Sequence, residues 1–189
     1  MRQGTAQAIW HARHRSAFGR TLVDQPLMTA VLADLALESE AATTSAMWLA
    51  GLFDATAGGR DSDRNDDTAR LLTRLATPIL KYWICKRAPM HAAEALECFG
   101  GNGFVEESPM PRLFRQSPLN GVWEGSGNVI CLDVLRAMAR SPESTAAFMS
   151  ELRVTAEASP TMAAALGEVQ ALLDQPDELE RSARSVVER

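Results

Sequence analysis

No stretch of this 189-residue chain approaches the roughly 20 consecutive apolar positions that a membrane-spanning helix requires. The N-terminus, MRQGTAQAIWHARHR, also lacks the apolar core and small-residue cleavage site of a secretion signal. Cysteine is scarce. Cys85, Cys98 and Cys131 are odd in number and widely spaced, which fits reduced, buried thiols better than a disulfide frame or a zinc site. His11, His14 and His91 share no metal-ligand spacing with one another or with the cysteines, so surface or packing roles are expected and no metal site. Alternating apolar segments, internal repeats and low-complexity runs are missing, and with them any reason to expect a sheet. These absences leave a helical protein, expected in the cytoplasm, with no membrane association.

Hydrophobic residues make up 46% of the sequence, enough for a buried core in one domain or in one domain with an appendage. The net charge of -5 and pI near 5.3 argue against a generic nucleic-acid binder. The charge is uneven, however. Residues 1–25 carry Arg2, Arg13, Arg15 and Arg20 against Asp24 alone, with His11 and His14 beside them, whereas acids dominate after Ser141. An anion-binding role therefore belongs near the start of the chain.

The spacing predicts helix almost throughout. Residues 2–16 form a first run that Met1 enters partway through, and Phe18-Gly19 breaks it. Pro26 to about Ala57 forms a second, with Leu27, Val31, Leu35 and Leu49 at helical spacing and Gly58-Gly59 as its stop. In the polar loop that follows, Asp61-x-Asp63-x-Asn65 resembles the start of a calcium loop. The resemblance fails at position six, where Asp66 stands for Gly, and at position twelve, where Leu72 stands for Glu. A third helix is predicted from Asp67 to Phe99, with kinks or short breaks at Pro78 and Pro89. Gly100-Gly101-Asn102-Gly103 ends it. A short helix is expected around Pro111–Gln116, and another from Ser126 to about Arg140. The pairs Ser141-Pro142 and Ser159-Pro160, together with Asp177, start further short helices in the tail. The fold class is all-α: an antiparallel helical bundle over residues 1–140 with a short helical extension over 141–189.

Three stretches carry chemistry. In GGNGF, clustered glycines permit close backbone approach to a phosphate, or simply stop a helix; preceded by helix rather than strand, they do not form a dinucleotide turn. In Trp123-Glu124-Gly125-Ser126-Gly127-Asn128, a carboxylate beside an aromatic could act as a base, or could merely favour the start of the helix that Ser126 would cap. In His14-Arg15-Ser16-Ala17-Phe18-Gly19, with Gln25 following, the arginine could grip a diphosphate or complement a helix end.

Together, in this order, the three resemble one family. Arg15 to Gln25 is similar to the FAD-contacting turn of acyl-CoA dehydrogenases. Lys81 to Arg136 is similar to that family's long helix, GG-x-G-F turn and E-G-[ST] motif. The most specific piece is ECFGGNGFVEESPMPRLFRQSPLNGVWEGSGNVICLDVLR. WEGSGNVICLDVLR and KYWICKRAP bring it closest to the alkylation-response (AidB-like) branch, and the resemblance covers about residues 1–140. It implies that Glu124 is the base that removes the α-proton of an acyl-CoA. It also implies that Ser126 and Asn128 contact the subunit's own FAD. Arg15, Phe18 and Gln25 would reach the ADP half of an FAD held mainly by a neighbouring subunit, and Gly100 and Gly101 would pack against that same half.

The sequence departs from the pattern in three places. Glu97 stands at a cofactor-facing position where the family usually has Gln, bringing an anion towards phosphates. Ser126 replaces Thr, and Asn128 is one methylene shorter than Gln. Family enzymes place a helical domain and a β-barrel ahead of this bundle, and nothing here resembles them. The implied protein is an FAD-binding, oligomer-forming domain, homodimeric or homotetrameric, acting on acyl-CoA in a full-length context and incomplete for catalysis alone. The branch also leaves open association with double-stranded DNA, against which the acidic tail weighs. A non-catalytic assembly module is the remaining alternative.

Overall fold

The computed structural model describes residues 1–57 and 67–189, so the Gly58-Gly59 stop and the Asp61-x-Asp63-x-Asn65 stretch lie outside the described residues. The described chain is all-α: α1 (Arg2–His14), α2 (Pro26–Thr56), α3 (Asp67–Glu97), α4 (Gly101–Phe104), α5 (Met110–Gln116), α6 (Gly127–Arg140), α7 (Pro142–Glu157), α8 (Pro160–Leu173) and α9 (Leu179–Glu188). None of these helices is long and apolar enough to cross a membrane.

Three local expectations need correction. First, a small sheet exists: β1 (Ser16–Ala17) pairs antiparallel with β2 (Arg20–Thr21), in the register Ser16 with Thr21 and Ala17 with Arg20. Phe18 and Gly19, at φ 53° and 84°, are its two-residue turn. Positive φ at both central positions matches the twist of a hairpin, so this dipeptide reverses the chain as well as ending α1. Second, of the kinks or short breaks expected at Pro78 and Pro89 there is no break: α3 runs continuously from Asp67 to Glu97. Each proline removes one backbone donor, and the turns on either side carry the helix across. Third, Ser126 holds the N-cap position of α6, but its side chain makes no capping hydrogen bond.

The described residues fall into two compact units. The first comprises Met1–Ala46 and Ile84–Trp123. Its core gathers Ala8 and Ala12 of α1, Leu32 and Leu35 of α2, Ala95 of α3, and Cys98 and Met110. Small residues let α1 approach closely: a Cβ added to Gly4 would lie 3.2 Å from the Ala95 Cβ. A buried polar node joins the same three helices. Thr5 Oγ1 donates to the Leu35 carbonyl at 3.2 Å, and His91 Nε2 lies 3.1 Å from both.

The second unit comprises Met47–Trp83 and Glu124–Arg189. Ile130, Val134 and Ala137 recur at helical spacing on α6 and pack with Leu75, Tyr82, Cys131, Ala183 and Val187. α9 buries Ala183, Val186 and Val187 on one face, which seats the end of the tail against α6. Ser159 caps α8 by accepting from the Met162 amide at 3.4 Å.

Candidate functional site

Within the second unit, residues 124–126 turn sharply before α6. Glu124 sits at φ 55° and Gly125 at φ 118°. A left-handed glycine is ordinary, but a left-handed glutamate is uncommon and is held in place by its surroundings. Lys81 of α3 does the holding: its Nζ donates to the Gly125 carbonyl at 2.7 Å. Val129 and Ile130 wall the turn so closely that a Cβ on Gly125 would stand 3.3 Å from one and 3.4 Å from the other.

Glu124 and Lys81 line a cavity of about 910 Å³, together with Phe53, Arg74, Val129 and Asp133. Asp133 sits between two arginines, 3.8 Å from Arg74 and 3.5 Å from Arg136. Among the described residues Glu124 has no ion-pair partner, and its side chain is exposed. Ser126 is exposed, its hydroxyl uncommitted as a cap. The Asn128 side-chain carbonyl accepts from Arg184 Nε of α9 at 2.7 Å.

Within the first unit, Arg15, Phe18 and Gln25 cluster around the hairpin. Gln25 Nε2 donates to the Ala17 carbonyl at 3.1 Å, bracing the turn. Phe18 projects from the tip, 96% exposed. Gly100, at φ 59°, leads into α4 just after the end of α3, beside an exposed Glu97. The ring of His11, one turn before Arg15, stacks on Phe99, the neighbour of Gly100, with centroids 4.4 Å apart. Burial lowers the His11 pKa, and the nearby Arg15 charge lowers it further. The arginine and the glycine turn thus belong to the same end of the α1–α3 pair. A Cβ on Gly100 or Gly101 would meet nothing within 4 Å, so the backbone there is open to an approaching group.

The remaining candidates have plain roles. Burial pushes the Cys98 thiol up to about 11, with Glu94 adding to the rise, which leaves it unreactive. Trp10 is exposed and stacks on His14 at 4.6 Å, while Trp48 and Trp83 are half-buried. Among the described residues no group of three or more His, Cys, Asp or Glu side chains could hold a metal ion.

Two residues of the site had no role in the sequence reading. Lys81 stands between Leu80 and Tyr82, an apolar setting in which an ammonium needs a partner, and that was its signal. Arg184 gave none, because its partner lies 56 positions away and no motif spans the pair.

Known proteins resemble this chain in sequence and fold. The family described as acyl-CoA dehydrogenase, C-terminal domain, matches residues 1–139. AidB of Escherichia coli (strain K12), an acyl-CoA dehydrogenase by name, is 45% identical over 138 residues, covering 73% of this chain and 24% of its own length. The structure of Caenorhabditis elegans ACDH-11 in complex with C11-CoA superposes with a TM-score of 0.86 at 26% identity, over 98% of this chain and 34% of that one. An acyl-CoA dehydrogenase from Bacillus anthracis complexed with FAD shares the fold, with a TM-score of 0.73 at 20% identity, over 98% of this chain and 35% of that one. The chain thus spans about a quarter to a third of the length of these relatives. With its glutamate turn, its glycine turn and its arginine hairpin on this helical scaffold, the chain belongs to the acyl-CoA dehydrogenase family, as its C-terminal helical domain.

Proposed function

We propose that the chain is the FAD-binding, self-associating domain of an acyl-CoA dehydrogenase of the alkylation-response type, with Glu124 as the base for α,β-dehydrogenation. The observation that carries this reading is Glu124 itself, a carboxylate without an ion-pair partner among the described residues, fixed in a left-handed turn on the wall of a 910 Å³ cavity. Strain at a non-glycine residue is a pointer towards function when the surroundings are built to hold it, and here Lys81 holds it.

FAD is the cofactor of this family, and the residues present fit it. Arg15 has no acid partner among the described residues and supplies a planar guanidinium suited to a diphosphate. Gly100 and Gly101 leave open backbone near that end of α1. Gln25 holds the hairpin in shape rather than reaching outward, since its amide is engaged with Ala17. Ser126 and Asn128 offer a hydroxyl and an amide at the start of α6. When bound, FAD supplies the hydride acceptor for the β-carbon. The part of this chain is to take the α-proton on the Glu124 carboxylate and to supply polar contacts to the cofactor.

Dehydrogenation also needs the α-carbon held in line with the base and the hydride acceptor, positioning that is worth several kcal/mol of barrier, roughly 7–11 in the best intramolecular models. By the family pattern most of that positioning comes from other domains, so the 189 residues alone bind FAD weakly and turn over slowly. Calorimetric titration of the purified chain with FAD tests the reading. Saturable binding, weakened in Arg15→Gln, is expected, and no saturable binding overturns it. An anaerobic mixture with FAD and short to long acyl-CoAs should show no rapid flavin bleaching. Rapid bleaching that vanishes in Glu124→Gln would show the domain to be sufficient by itself.

A further inference from the structure

We propose that Arg184, from the tail beyond the family-matched residues, is a positioning residue that fixes the Asn128 amide as a one-way donor towards the cofactor. The proposal rests on the FAD reading above. An asparagine side chain ends in an acceptor oxygen and a two-proton donor nitrogen, and by itself it can present either to a ligand. A guanidinium only donates. The Asn128 atom 2.7 Å from Arg184 Nε is therefore its carbonyl oxygen, and the amide orientation is set by chemistry. With the oxygen engaged by a cation, the NH₂ group is turned away from Arg184, and its N–H bonds are polarised into better donors. The ligand atoms such a group selects are acceptor oxygens.

The fold keeps Arg184 where this requires. Ala183 and Val187, its neighbours on α9, are buried in the core of the second unit with Tyr82, Val134 and Ala137, and Val186 is buried beside them in sequence. The backbone that carries the arginine is anchored by these buried neighbours, while Arg184 itself is exposed. Arg184 also lies close enough to Tyr82 for its charge to act on the phenol. The family match ends at residue 139, so Arg184 lies outside the matched residues while Asn128 lies within them. It bears on the position where this chain departs from the family, Asn in place of the longer Gln. A shorter amide with a fixed orientation does the work of a longer, freer one.

The test is FAD titration of the full chain in a double-substitution cycle. Arg184→Met should weaken FAD binding about three- to tenfold, the range for losing a partly exposed hydrogen bond to a charged group. Arg184→Lys, which keeps a donor, should recover most of the loss. Arg181→Met removes the same charge from the same helix at a residue paired with Glu178, and should leave affinity unchanged. Asn128→Ala should weaken binding, and Arg184→Met in that background should add nothing, because the arginine acts through the asparagine. Should Arg184→Met lower the melting temperature markedly, Arg184→Gln takes its place in the cycle. Wild-type affinity in Arg184→Met, or an equal further loss on top of Asn128→Ala, overturns the proposal while the FAD reading stands. Absence of saturable binding in the unsubstituted chain overturns both.

Discussion

Lys81 reaches across 44 positions of sequence to donate its ammonium to the Gly125 carbonyl at 2.7 Å, and in doing so fixes the turn that carries Glu124. Left-handed backbone at a non-glycine residue costs about 1–2 kcal/mol. A hydrogen bond from a charged group returns about 1.5–3 kcal/mol, less where solvent reaches it. The two are of similar size, so the turn persists because of the lysine rather than through any preference of its own.

Removing the ammonium while keeping the stem tests this balance. Lys81→Met should lower stability by about 1–2 kcal/mol and accelerate amide hydrogen exchange over residues 124–127, leaving the first unit's amides unchanged. Lys81→Arg should restore protection. Unaltered exchange in Lys81→Met would show that the turn holds itself.

Gly125 adds a second constraint from steric bulk. At φ 118° an L side chain is strained, and the new Cβ would press on Val129 and Ile130. Gly125→Ala should destabilise the chain by about 1–3 kcal/mol, read as a fall in melting temperature. Ser126→Ala, one position on, should cost little, since the Ser126 hydroxyl makes no cap bond. Equal losses in the two variants would contradict this account.

Much of this was legible in the sequence, for physical reasons that differ from place to place. The helices announced themselves by spacing and punctuation: Leu27, Val31 and Leu35 fall at helical spacing within α2, and Ser159-Pro160 starts α8. The stretches around Glu124, Arg15 and Gly100 stood out by motif. The hairpin did not, because two-residue strands are too short to show alternation and Phe18 is an improbable residue for a left-handed turn position. Nor did Ser126's idle hydroxyl, since residue type marks a cap position without fixing the rotamer that would use it. The Arg184–Asn128 bond depends on how α9 seats against α6, a packing result that no local pattern encodes.

Self-association is the next expectation. Leu27 and Leu37 of the first unit are 80% and 65% exposed, and Met47 and Phe53 of the second are exposed as well. Large apolar side chains left exposed in each unit are expected to be covered by a second copy of the chain. Sedimentation at micromolar concentration should show dimers or larger species, and Leu27→Glu with Leu37→Glu should shift them towards monomer. A clean wild-type monomer would contradict the proposal.

His91 makes the stability of the chain depend on pH in a predictable direction. The ring is 5% exposed, and its Nε2 meets the Leu35 carbonyl, an atom that only accepts, so Nε2 carries a proton. The described residues give Nδ1 no hydrogen bond, so a second proton would sit on a buried nitrogen without an acceptor. Burial accordingly lowers the His91 pKa from the ordinary 6.5; the Leu35 hydrogen bond opposes it in part, the N-terminal charge adds to the lowering, and Glu38 opposes it. With the folded value below the unfolded one, the unfolded chain binds the proton more readily. The stability His91 contributes is complete above 6.5 and is lost as pH falls towards its folded value. His11, also lowered, acts in the same direction. Burial also lowers the Met1 ammonium from its ordinary 8.0 and acts in the same direction, so the His91 share is read only by comparison with a variant that does not titrate there. Melting temperature should fall with pH below 6.5, one proton contributing at most about 1.4 kcal/mol per pH unit. In His91→Gln, whose amide can still donate to Leu35 but does not titrate, the fall should be shallower even if the starting stability is lower. Parallel slopes in the two proteins would remove His91 as the cause and place the protonation elsewhere.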